Sequence, residues 1–167
     1  MKLTDFYLAQ LEAESARTRR TLERVPEGRG DWKPHDKSMP LGRLAMLVAR
    51  MPSWINLIVN QDELDLSAGS NVDQRPLNTP ADLVKALDEG TAGARQTLMG
   101  TTDDHLMTNW RLKMGGRVVS EEKRTNVIRD TFAHLAHHRA QLGVYLRLND
   151  VPVPAMYGPS ADDTHFA

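Results

Sequence analysis

The chain has 167 residues, 40% hydrophobic and 26% charged, ordinary values for a single soluble domain, 1–167, with room for one sizeable core. Its 21 Lys plus Arg against 22 Asp plus Glu give a net charge of −1, which removes the basic footprint that nucleic-acid binding relies on. Cysteine is absent, so a disulfide framework, a thiolate zinc site and a cysteine nucleophile are excluded, and any thiol chemistry must use a thiol from outside the chain. The opening stretch MKLTDFYLAQLEAESARTRR carries acids early and lacks the apolar core of a signal peptide. No apolar run approaches the roughly 18 residues of a membrane span, and a cytoplasmic protein is expected.

A first helix is expected from about Thr4 to Val25, with Thr4 as N-cap and Pro26, Gly28 and Gly30 beyond its end. Its apolar positions Phe6, Leu8, Leu11, Ala16, Leu22 and Val25 follow helical spacing only in part. A second helix begins near Leu41 with the stripe Leu44, Leu47, Val48, Met51, Ile55 and Ile58, and Pro52 inside it predicts a kink or break. The polar stretch from Gln61 to Asn78 reads as a loop. Thr79 followed by Pro80 is a helix start, and Leu83, Val84, Leu87, Ala92 and Leu98 carry that helix to Met99, where Gly100 stops it. Asn109 to Ser120 reads as a hairpin turning at Gly115-Gly116. A last helix follows from about Glu121 to Leu148, its apolar centre set by Ile128, Phe132, Leu135, Leu142 and Leu146. These patterns predict an all-α fold: a four-helix bundle of up-and-down type with a small β-hairpin before the last helix.

Three of the six histidines crowd into HLAHHRAQ on the last helix. His134 and His138 are four apart and face one way, whereas His137 points well away from His138, toward Asp130 and Gln141. Two histidines at this spacing make half of a first-row metal site, because neutral imidazole suits zinc, nickel and iron. The bland alternative is a pair of hydrogen-bonded or solvated edge residues. Tyr145, seven residues after His138, is a candidate proton donor or ligand contact, or else a boundary tyrosine. His35, His105 and His165 read as surface residues, and Trp32, Trp54 and Trp110 as core anchors.

The segments DWKPHDKSMPLGRLAMLVARMPSW and HLAHHRAQLGVYLRLNDVPVPAMYGPSADD, with the hairpin around Trp110, resemble the DinB-like (YfiT-like) metalloenzyme superfamily over nearly the whole chain. The resemblance implies a four-helix bundle, often dimeric, holding a divalent metal on three histidines. One comes from the second helix and two, four apart, from the fourth. It further implies a metal-dependent hydrolase, or a transferase using a low-molecular-weight thiol. His134 and His138 match the fourth-helix pair; the second-helix position is occupied by Leu47, which cannot bind a metal. The site is therefore expected to be incomplete, with occupancy by zinc or nickel weakened, or restored by a residue such as His35. The other expectation is a metal-poor member acting as a small-molecule-binding or dimeric interaction module, Leu47 making the former site more apolar. Ala133, Ala136, Ala140 and Val144 form a small-residue face opposite the main stripe of the last helix and point to a homodimer.

Overall fold

The computed structural model describes residues 2–67 and 78–165; part of the Gln61–Asn78 stretch lies outside them. Proline and glycine set the boundaries of the second limb and of the helix that follows it. Helix α1 spans Leu3–Leu22 and α2 Leu41–Arg50. At Pro52, whose nitrogen cannot bond back along the helix, the chain tightens into a single 3₁₀ turn, Met51–Ser53, before α3, Trp54–Asn60. Helix α4, Pro80–Gly100, starts on a capping box: the Thr79 hydroxyl accepts from the Asp82 amide and the Asp82 carboxylate from the Thr79 amide, both at 3.1 Å. The single turn α5, Asp103–Leu106, precedes the strands, and α6, Arg124–Leu148, closes the helical part.

The sheet departs from the expected hairpin in two ways. Strands β2, Asn109–Met114, and β3, Arg117–Lys123, pair antiparallel across Gly115 and Gly116, whose φ values of 61° and 76° suit glycine. A short β1, Glu63–Asp65, adds parallel to β2, giving three strands among the described residues where a loop had been expected. Strand β3 also runs to Lys123, so α6 begins at Arg124 rather than Glu121. The helix-forming run Glu-Glu-Lys is held extended by pairing of Glu121 with Arg111 and Glu122 with Trp110.

Helix α1 begins one residue before the expected cap. Thr4 lies inside it, and its first amides, Leu3 and Thr4, donate to the Asp103 carboxylate at 2.9 and 3.2 Å. Of the apolar set read from the sequence, Leu11, Leu22 and Val25 are buried but Phe6 and Ala16 are exposed, and the rest of the buried face is Thr4, Tyr7, Glu14, Ser15, Thr18 and Thr21. The hydroxyls are satisfied, Thr18 donating to the Glu14 carbonyl (2.8 Å) and Ser15 pairing with Thr91 (2.9 Å).

Side-chain pairs fix the helix directions. Glu12 with Arg95 and Ser15 with Thr91 make α1 and α4 antiparallel, while Tyr7 with Thr125 and Glu14 with Arg139 make α1 and α6 parallel. Ser53 beside Gly90 and Asn60 with Thr97 make the second limb and α4 parallel. Trp54 with His134 and Tyr145 with Met39 make that limb antiparallel to α6. The order is thus up, down, down, up, which corrects the up-and-down expectation. The chain from Asn60 to Pro80 makes this possible, since at about 3.3 Å per residue it can return along the whole limb.

The core falls into two clusters. One gathers Leu41, Leu44, Val48, Leu135, Leu142 and Leu146; the other gathers Leu11, Ile55, Ile58, Leu98, Ile128 and Phe132. Trp54 packs against both. Among the described residues no helix is long and apolar enough to cross a membrane.

Candidate ligand site

The histidine pair expected from the i, i+4 spacing meets on α6. The Nε2 atoms of His134 and His138 are 2.8 Å apart, and the rings lie 4.6 Å centroid to centroid. His138 Nδ1 lies 2.8 Å from Gln141 Oε1, and Gln141 Nε2 lies 3.0 Å from His137 Nε2. With Gln141 Oε1 accepting from His138 Nδ1–H, His138 keeps its lone pair on Nε2 and receives the Nε2–H of His134. His137 is closer than its position around the helix implied: its ring stands 4.9 Å from that of His138, and Gln141 bridges the two. Burial first, then the neighbouring His138 and His137, hold His134 below the ordinary histidine value of 6.5, so it is neutral near pH 7.

The indole of Trp54 lies 5.7 Å from the His134 ring, and both border a cavity of about 340 Å³. Four elements make its walls. Helix α3 gives Trp54, Leu57 and Ile58, β1 gives Leu64, and β2 gives Trp110 and Leu112. The strand alternation turns Arg111 and Lys113 the other way, where both pair with Glu63 (3.1 and 2.6 Å). Helix α6 adds one side of three turns: Val127, Asp130, Thr131 and His134. Apart from Asp130, Thr131 and His134 the walls are apolar. Sequence reading gave His134 but took Trp54 and Trp110 as core anchors. Trp110 is indeed buried, and both indoles also face the cavity. Val127, Thr131 and His134 recur at helical spacing, which was the available signal; the strand and α3 contributions had none.

The other candidates do not line the cavity. Leu47 is half-buried on α2 and packs against the first core cluster. Tyr145 is buried, its hydroxyl donating to the Met39 carbonyl at 3.1 Å and its ring set edge-on to Trp32, so it does not line the cavity. Exposed His35 accepts from the Lys37 amide, and His105 Nε2 meets the Val59 carbonyl at 2.8 Å. Among the described residues no three histidine or carboxylate groups are placed to hold one ion. The two imidazoles converge, but the donors present do not make a three-histidine metal centre.

No protein-family model matches the chain, and no curated protein matches it. Solved structures do. A DinB-like protein of Bacillus cereus superposes with a TM-score of 0.69 at 19% identity, over 90% of this chain and 95% of that one. A DinB-like protein of Bacillus subtilis superposes with a TM-score of 0.65 at 17% identity, over 87% and 94%. With nearly full coverage on both sides, the chain has the DinB-like fold.

Proposed function

We propose that this chain uses the four-helix bundle of the DinB-like fold, with the β2–β3 hairpin as a side wall, to bind an apolar small molecule, the imidazole of His134, hydrogen-bonded to His138, forming the polar end of the site. The observation that carries this reading is the apolar cavity of about 340 Å³ walled by Trp54, Trp110 and Leu112 and bounded by His134, a size and lining typical of small-molecule sites. Titration with N-phenyl-1-naphthylamine, a neutral dye that brightens in apolar surroundings, tests it. Saturable brightening is expected from the wild type and its loss from Leu112→Trp, which fills the space without adding charge. Absence of saturable binding, or equal binding by a folded Leu112→Trp, would refute the reading.

One observation favours a second reading. The Nε2 atoms, 2.8 Å apart, need to separate by only about 0.5 Å to bind one tetrahedral ion at ~2.0–2.1 Å, and the Gln141 contact on His138 Nδ1 is the kind of outer hydrogen bond that orients a ligating imidazole. In that case zinc or nickel binds weakly and supports hydrolase or thiol-dependent transferase chemistry. Stoichiometric metal in protein purified without a tag or chelator would favour it over the first.

A further inference from the structure

Resting on the binding-cavity reading, we infer that the preferred ligand class is an apolar amine: an aromatic or branched aliphatic body with a protonated amino head. Charge at the rim decides between head groups. Among the described residues the only ionised group lining the cavity is Asp130 and no lysine or arginine lines it; Arg111 and Lys113 are turned away onto Glu63. Arg129 sits beside Asp130, but its Nε (3.0 Å) and Nη2 (2.9 Å) both bind Oδ1, and its side chain lines a separate hollow with Phe6 and Gln10. Oδ2 of Asp130 has no hydrogen-bond partner among the described residues. A carboxylate head would meet this acid with no cation lining the cavity among the described residues to receive it. An ammonium head gains a carboxylate partner in a cavity that two indoles, Trp54 and Trp110, also line. Asp130 is well exposed, which limits the gain to the scale of surface ion pairs.

The test compares three ligands that share one body: 4-butylbenzylamine, 4-butylbenzyl alcohol and 4-butylbenzoate, titrated calorimetrically into the full chain at pH 7.5 and low salt. The amine should bind roughly fivefold tighter than the alcohol, and the benzoate more weakly than either. Asp130→Asn, a change at an exposed position, should bring the amine to the level of the alcohol and leave the alcohol unchanged. High salt should shrink the amine preference in the wild type only. The inference is overturned if benzoate matches the amine, or if Asp130→Asn keeps the preference. Alcohol binding without any amine preference would sink this inference alone, whereas failure of all three ligands together with the dye would sink the binding-cavity reading as well.

Discussion

Glu14 on α1 and Arg139 on α6 have side chains only 2% exposed, with Arg139 Nη2 2.6 Å from Glu14 Oε2. Arg139 Nη1 also donates to the Thr18 hydroxyl (2.9 Å), and Nη2 to Tyr157, whose own hydroxyl donates to Glu14 at 2.9 Å. Two buried charges cost desolvation that their attraction offsets only when every lone pair is used, as here. Arg139→Met should therefore destabilise by about 3 kcal/mol, the low end for a broken buried pair, because it leaves the buried Glu14 carboxylate with Arg17 (2.9 Å) as its remaining cation. The double variant with Glu14→Leu should recover much of that loss. Urea unfolding of wild type, single and double variants measures both; equal losses in the single and the double would contradict it. At Leu47 the question is the missing donor. If the chain follows the resemblance, Leu47→His should raise zinc affinity by roughly a hundredfold, the approximate value of one ligand, and His134→Ala should abolish the gain. Equally tight zinc binding by wild type and Leu47→His would show that another residue already serves.

Strand β1 illustrates what holds a short element with little apolar surface. The Asp65 carboxylate accepts from the Ser67 amide and hydroxyl and from the Gly115 and Gly116 amides, tying β1 to the β2–β3 turn. These hydrogen bonds, the Ser67 side chain and amide first, lower its pKa from 3.8 to about 2. The folded value is the lower one, so its contribution is complete above 3.8 and fades as pH falls toward 2. Asp65→Asn should remove this acid-dependent part and loosen β1, seen as faster amide exchange at Gly115 and Gly116; unchanged exchange there would contradict it. None of this was legible in the sequence, because Glu-Leu-Asp is short and polar and its partner strand lies some fifty residues on. The Glu121–Lys123 segment misled for a related reason, as local helix preference yielded to cross-strand pairing. By contrast, α4 announced itself through Thr79-Pro80 and Gly100, and α6 through its stripe, all five of whose apolar residues are buried. The histidine pair was legible because it sits on one helix. The cavity beside it was not, because four separate elements converge there.

At the scale of the whole molecule, the two core clusters meet at Trp54, which the 3₁₀ turn at Pro52 delivers to the junction. Replacing a tryptophan there removes contacts to both clusters at once. Trp54→Ala should cost about 3 kcal/mol, near the low end for a large aromatic because the ring is half-buried. It should also open the cavity wall and weaken dye binding. A loss under 1 kcal/mol in urea unfolding would mean that the clusters do not depend on this ring. Of the small-residue face of α6, Ala133, Ala140 and Val144 are exposed and Ala136 is half-buried, and Ala136, Ala140 and Val144 border a hollow shared with Val153, Met156 and Tyr157. Light scattering tests the proposed homodimer directly, a mass near twice 18.7 kDa being expected.

The threonine- and serine-lined face of α1 has a consequence for the order in which the molecule comes apart. Detaching α1 breaks its ion pairs to Asp88, Arg95 and Arg139 and uncovers hydroxyls, groups that water can satisfy, with Tyr7, Leu11 and Leu22 as its large fully buried apolar residues. The hydrophobic penalty that normally welds a helix into a cooperative whole is correspondingly small for this one. Helix α1 should act as a separable unfolding unit. Its amides would exchange with solvent well before those of α6 at denaturant concentrations below the main transition, while the α2, α4 and α6 assembly keeps its protection.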